Sequence, residues 1–249
     1  MSNIVQYNEW TIEAAAKELS QVTRGGNTQD ILKLAVGRNV VRFLPMTDEM
    51  PSPFQVIWQH FIQTDDKPIV FPCPWRMSQQ RCPICDEGNR LSRTGNPADR
   101  DAARKLWPSM RVFANVISRS AMESGPKILA MPRTVYEELI SIRTDSDAGG
   151  DFTHPEKGFD IIIERTGTGL STRYRVSTAR TDSELENMEW INQQHDLSRF
   201  AALPTRDMME NAVLAITGDI KPAIDVAPMA LDRPRRTQRT AADDIYGDE

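Results

Sequence analysis

His60, Cys73, Cys82 and Cys85 are spaced His-x12-Cys-x8-Cys-x2-Cys, and these three thiols are all the cysteine in the 249-residue chain. Imidazole nitrogen and thiolate sulfur are donors that zinc prefers in a tetrahedral array, and Cys82-Pro83-Ile84-Cys85 is a knuckle from which two thiolates can reach one ion. Cys73 and His60 then close a four-ligand shell. Four protein ligands leave no position for water or substrate, so the expected cofactor is one structural Zn2+ that holds a fold. Two rival readings are three unrelated reduced thiols and a thioredoxin-like Cys-x-x-Cys redox pair. Clustering of all three cysteines within 13 positions argues against the first. The second normally opens a helix after a strand in a βαβ unit, and nothing of that kind precedes Cys82.

The other residues with chemistry to offer are cations interleaved with aromatic rings. Trp75, Arg76, Arg104, Lys105, Trp107, Arg111, Phe113, Arg119 and Lys127 lie close together in sequence, and a later hairpin adds Arg173, Tyr174 and Arg175. Binding of a single nucleic-acid strand needs cations for phosphates and flat rings for bases, each stacked base contributing about 1–3 kcal/mol with little regard for sequence. The net charge of −5 conceals a local excess, since residues 90–133 carry nine Arg or Lys against three Asp or Glu. Residues 181–218 reverse it with seven acids against two bases, read as a solvated helical face.

Each ring has a competing role. Trp75 and Trp107 adjoin prolines in expected loops and are read as contacts, with a cover over the zinc lobe as the rival. Phe43 and Trp58 lie inside apolar strands and are read as core. Phe113 stays open, because Val112, Ala114 and Val116 alternate around it and the sequence does not say which face is buried. In a strand, Tyr174 points away from the face that carries Arg173 and Arg175. His154 and His195 are isolated and receive no function.

Several elements must position these residues. A helix is expected at 11–19, ended by Gly25-Gly26-Asn27. Strands are expected at 40–44, 54–58 and 110–118, and a hairpin pairs 160–164 with 172–177 across Gly167-Thr168-Gly169. Thr134 and Glu137 form a capping-box pattern before a helix carrying Val135, Leu139 and Ile142. Ser183 and Glu186 suggest another cap, and a further helix runs from Thr205 through Met208, Val213, Leu214 and Ile216 to Gly218. The order suits an α+β chain with a mainly β core: an OB-fold-like Greek-key barrel, an inserted zinc subdomain and C-terminal helices packed on the barrel. Residues 1–25 form an N-terminal arm, 26–221 the core with its zinc subdomain at 58–90, and 222–249 a linker, basic run and acidic tail.

Composition, with 39% hydrophobic and 26% charged residues, allows one substantial buried core. No apolar run reaches the ~18 residues of a membrane span, no secretory pattern opens the chain, and a cytoplasmic location is expected. An enzyme is not expected, for there is no Walker Gly-x-x-x-x-Gly-Lys and no His-x-Glu beside Pro-Cys-x-x-Cys. The alternative function is a zinc-dependent RNA- or protein-binding regulatory module.

The chain resembles the zinc-containing single-stranded DNA-binding, helix-destabilising proteins of T-even and related bacteriophages. The likeness runs through Gly37-Arg38-Asn39-Val40-Val41-Arg42-Phe43-Leu44-Pro45, Pro53-Phe54, His60, Cys73, Cys82-Pro83-Ile84-Cys85, Phe113-Ala114-Asn115-Val116, residues 126–142, Arg173-Tyr174 and Asp196-Leu197-Ser198. It implies an OB-fold core, a structural zinc and sequence-independent coating of single strands in replication, recombination and repair. It also implies replication and recombination proteins recruited by an acidic tail, self-association on DNA, and the host cytoplasm as location. The chain departs from the family in its N-terminal arm, where Lys17 is the only cation of the first 20 residues beside Glu9, Glu13 and Glu18. Its tail is reduced to Asp243, Asp244, Asp248 and Glu249.

Overall fold

The computed structural model describes residues 30–63, 68–145 and 150–217. The arm at 1–25 with its helix at 11–19, and the segment 222–249, lie outside the described residues. Seven strands form one antiparallel sheet: β1 (Gly37–Phe43), β2 (Phe54–Ile62), β3 (Ile69–Pro72), β4 (Ser109–Ser118), β5 (Lys127–Pro132), β6 (Phe159–Thr166) and β7 (Arg173–Asp182). The order is β3-β2-β4-β1-β6-β7, with β5 also on β4. Strand β4 is the hub. One of its edges pairs first with β2, Ser109 facing Gln59, and then with β1, Val116 facing Phe43, while β5 takes the other edge.

The expected α+β architecture, a mostly antiparallel sheet with accompanying helices and a Cys/His cluster, is present, and the sheet does not close into a full barrel. Among the described residues β3 and β7 end the sheet and do not pair with each other. The expected strands are all present and mostly longer. Strands β3 and β5 carry too short or too irregular a pattern to stand out in the sequence, and β5 is recognised by its ladder to β4 from Arg111–Pro132 to Val116–Lys127.

Alternation along the strands gives the sheet two faces. Val41, Phe43, Val112, Ala114, Val116, Leu129, Met131, Ile161 and Ile163 point to one side, where Val135, Leu139, Phe152 and Phe159 join them in the main core. Phe43 sits among rings, 5.8 Å from Phe54 and 5.4 Å from Phe152. On the other face Arg42 is fully buried, and its guanidinium donates to the carbonyls of Phe152, His154 and Phe159. Burial lowers its pKa, yet the guanidinium stays charged and fastens the loop before β6.

Five helices accompany the sheet: α1 (Pro74–Ser78), α2 (Pro83–Ser92), α3 (Pro97–Leu106), α4 (Arg133–Thr144) and α5 (Arg206–Thr217). Helix α4 buries Val135 and Leu139 as its periodicity demands, but the capping box is not made. Pro132, ending β5, occupies the N-cap position, so Thr134 falls inside the first turn and Glu137 accepts from Arg133 at 2.6 Å. No helix starts at Ser183. Its hydroxyl donates to Asp160 at 3.1 Å, and Asn187 caps a short 3-10 turn, Met188–Ile191. Helix α5 starts where Thr205 predicts, and it packs Ala212 and Val213 into a cluster shared by the lobe of Cys73, Cys82 and Cys85 and by Ile62 and Phe71 of the neighbouring strands β2 and β3.

Candidate metal centre and nucleic-acid interface

Proline places two of the four metal-seeking residues. Cys73 and Cys82 each precede a proline that opens a helix, which holds both in extended backbone at the N-cap positions of α1 and α2. Cys85 follows within the first turn of α2, whose N-terminal dipole favours a thiolate there. The Cys73 amide donates to the Trp58 carbonyl at 2.7 Å, carrying the β2–β3 pairing one step further and setting Cys73 beside His60. His60 faces Phe71 across the ladder and is fully buried.

The four ligand atoms lie within 4.8 Å of one another. His60 Nε2 is 3.2 Å from Cys82 Sγ and 3.7 Å from Cys85 Sγ, and the sulfurs of Cys73 and Cys85 are 3.6 Å apart. His60 Nδ1 is 2.8 Å from the Leu106 carbonyl, which must accept its proton and thereby leaves Nε2 facing the sulfurs. Burial opposes charge on His60, but hydrogen bonds to Cys73 and Cys82 prevail and raise its pKa to about 9. Hydrogen bonds from Cys82 and Cys85 hold the Cys73 thiol far below its usual range, and the bond to Cys73 pushes Cys85 far above its own. One nitrogen and three sulfurs crowded out of water form a set that a divalent cation fits, and the cluster could hold a metal ion. Asp86 and Glu87 pair instead with Arg81 at 2.9 Å and Arg90 at 2.6 Å.

The expected DNA contacts divide between the lobe and the sheet. On the lobe, Trp75 packs half-buried against the metal cluster's apolar shell. Arg76 is exposed, with its guanidinium carbon 4.7 Å from the centre of the half-buried Trp58 ring. Arg104 and Lys105 project from α3, Arg104 loosely paired with Asp101 at 2.9 Å. Trp107 is 39% exposed and lines a cleft of about 810 Å³ with Lys105, Ile216 and Phe61, itself 49% exposed.

On the sheet, Arg111 and Phe113 share the face opposite the main core, and through the β4–β1–β6–β7 registers Arg173 and Arg175 belong to it as well. Arg111, Arg173 and Arg175 are exposed. Tyr174 packs against the main core, as its alternation with the arginines predicts. Phe113 is only 7% exposed, because Phe200 covers it at 4.1 Å between centroids. Lys127 opens β5, half-buried and opposite Val116. Arg119 stands apart from the rest, bound at 3.0 Å to both Asp160 and Glu186.

Sequence reasoning missed Phe61, Arg38, Arg199 and Phe200. Arg38 lies on the cationic sheet face, opposite Glu164 in the ladder. Phe61 carries no signal beyond membership of an apolar strand, and Phe200 belongs to an acidic stretch far from Phe113 in sequence. A cleft of about 990 Å³ between the β1–β2 loop and residues 191–198 contains Asp48, Glu49 and Asp196 and no Lys or Arg, so it does not suit a phosphate chain.

The chain thus combines an antiparallel sheet that exposes arginines on one face with a lobe whose buried His and Cys side chains converge. Residues 35–214 match the family described as gp32 DNA binding protein like. The match covers well over half of the chain, and the chain belongs to that DNA-binding family, in agreement with the resemblance found in its sequence. No curated protein matches it. No helix among the described residues is long and apolar enough to cross a membrane.

Proposed function

We propose that this chain is a sequence-independent single-stranded DNA-binding protein that coats and protects single strands during phage DNA replication, recombination and repair. The observation that carries this reading is the family match over 35–214, a span that includes the converging cluster and all twelve expected contacts. The exposed arginines and lysines of lobe and sheet would follow the phosphates, and exposed rings such as Trp107 would take bases, which distinguishes an open strand from a duplex whose bases are stacked away. His60, Cys73, Cys82 and Cys85 would hold one Zn2+, which when bound supplies folding free energy to the lobe. His60 orients its ring through Leu106, and α1 carries Trp75 and Arg76 and α3 carries Arg104 and Lys105 on the frame so fixed. The protein is not an enzyme in this reading, and it acts in the host cytoplasm. The acidic end, Asp243 to Glu249, would compete with DNA for the cationic surface and recruit replication and recombination proteins once displaced, with neighbours associating along the strand.

A salt titration of binding to labelled oligothymidine against matched duplex, with zinc determined on the same preparation, tests the proposal. Single-strand preference that weakens steeply with salt, in protein holding about one zinc, is the expected result. Equal affinity for both DNAs would overturn it in favour of the RNA- or protein-binding module.

A further inference from the structure

We infer that Phe200 and Arg199 form a nucleobase-binding site on the outer sheet face, Phe200 as stacking platform and Arg199 as the contact for the adjoining phosphate. The inference rests on the single-strand reading above and gives it a site for one unpaired base.

The rings of Phe113 and Phe200 are 4.1 Å apart and inclined by 3°. Every other aromatic pair found among the described residues is inclined by 56° or more, the geometry of rings that fill a core. A parallel pair instead builds a flat column that a base can lengthen by one layer. Phe113 is its buried floor and Phe200, half-buried, its upper member.

The column is fixed before any ligand arrives. Asn115 donates to the His195 carbonyl and accepts from the His195 amide, both at 3.0 Å, and the His195 ring meets the Pro126 carbonyl at 2.9 Å. Asp196 accepts from the Ser198 amide at 2.8 Å, and buried Leu197 packs with Ile57, Phe113 and Ile128. A platform fixed in this way loses little freedom on binding. The Arg199 guanidinium carbon is 5.1 Å from the Phe200 centre, and the side chain is exposed. An exposed cation–π contact is weaker than a stacked base, so a base displaces the guanidinium, which then meets the phosphate beside it. Arg111, exposed and two positions before Phe113 on the same face, offers a second cation.

The test compares oligothymidine binding by wild type, Phe200→Leu, Phe200→Trp and Arg199→Ala, with melting temperature and zinc content measured on each. Leucine keeps the apolar cover and removes the ring. Phe200→Leu should bind about tenfold more weakly, Phe200→Trp should bind at least as well as wild type with its indole quenched by DNA, and Arg199→Ala should lower the salt slope by about 0.7. Wild-type affinity in Phe200→Leu, or an unchanged slope in Arg199→Ala, from protein that prefers single strands, would overturn the site and leave the function standing. A wild type without single-strand preference would remove the function and the site together.

Discussion

The sheet keeps its shape with an apolar core drawn from β1, β4, β5, β6 and α4, whereas the lobe beside it buries His60 and three cysteines within a much smaller apolar shell. In the sheet, Phe43, Leu129, Ile161 and their neighbours are interchangeable in kind, and many small contacts add up. In the lobe the proposed ion would add what so small an apolar area cannot, because Cys73 and Cys82 at the starts of α1 and α2, Cys85 in α2 and His60 on β2 converge on one point. With the proposed ion bound, stability would have two sources in one chain, a distributed one and a point-like one, and the cationic surface proposed to meet DNA spans both.

The sharpest way to break this comparison is to remove one ligand. Cys85→Ser should abolish metal binding and cost the lobe most of its folding free energy, on the order of 10 kcal/mol for a structural zinc. Amide exchange should then show α1–α3 unprotected while β1, β4 and β6 stay protected. Loss of protection throughout would mean that sheet and lobe form one cooperative unit. Acid should act in the same direction. Without metal His60 titrates at about 9 and the Cys85 thiol is pushed up, so at neutral pH a metal must displace both protons. Each displaced proton lowers apparent metal affinity about tenfold per pH unit as pH falls.

Phe43→Ala tests the other side. Its ring is 1% exposed and meets Phe54 and Phe152, so truncation should cost about 3–5 kcal/mol through lost burial and a residual cavity. Urea unfolding should show the loss in the transition of the sheet, with zinc still bound below that transition. Metal loss in native conditions would show that the lobe draws its stability from the sheet after all.

The same contrast explains what could be read in the sequence. His60, Cys73, Cys82 and Cys85 were legible because coordination tolerates few residue types, and the Cys-x8-Cys-x2-Cys spacing brings three of the four together locally. Strands β1, β2, β4, β6 and β7 were legible because β-branched and apolar residues mark them. Barrel closure was not, since it depends on whether distant edges meet, and β3 and β7 do not. The contacts of α5 with the lobe escaped for a related reason, because its apolar stripe names a partner surface of no particular kind. Phe113 is the instructive residue: alternation left its face open, and only the fold sets it opposite the main core and brings Phe200 over it. Arg119 likewise reads as a free cation until Asp160 and Glu186 arrive from elsewhere in the chain.

The smallest expected effect sharpens the comparison by asking which region the phosphates follow. Arg173 and Arg175 are exposed on β7, and Arg104 and Lys105 are exposed on α3. Arg104's ion pair with Asp101 is open to water and worth little, so it leaves the guanidinium available to DNA. Replacing Arg173 and Arg175 together with alanine should leave stability within about 0.5 kcal/mol. It should also lower the salt slope of single-strand binding by about 1.4, two phosphates at about 0.7 each. The double variant of Arg104 and Lys105 should do the same from the lobe side if a strand crosses both regions. A change in only one of the two slopes would confine the strand to that region. Retention of the lobe effect alone would tie DNA binding to the proposed ion through the fold of the lobe, since the cations that matter would then stand on α3, whose Leu106 carbonyl meets the His60 ring.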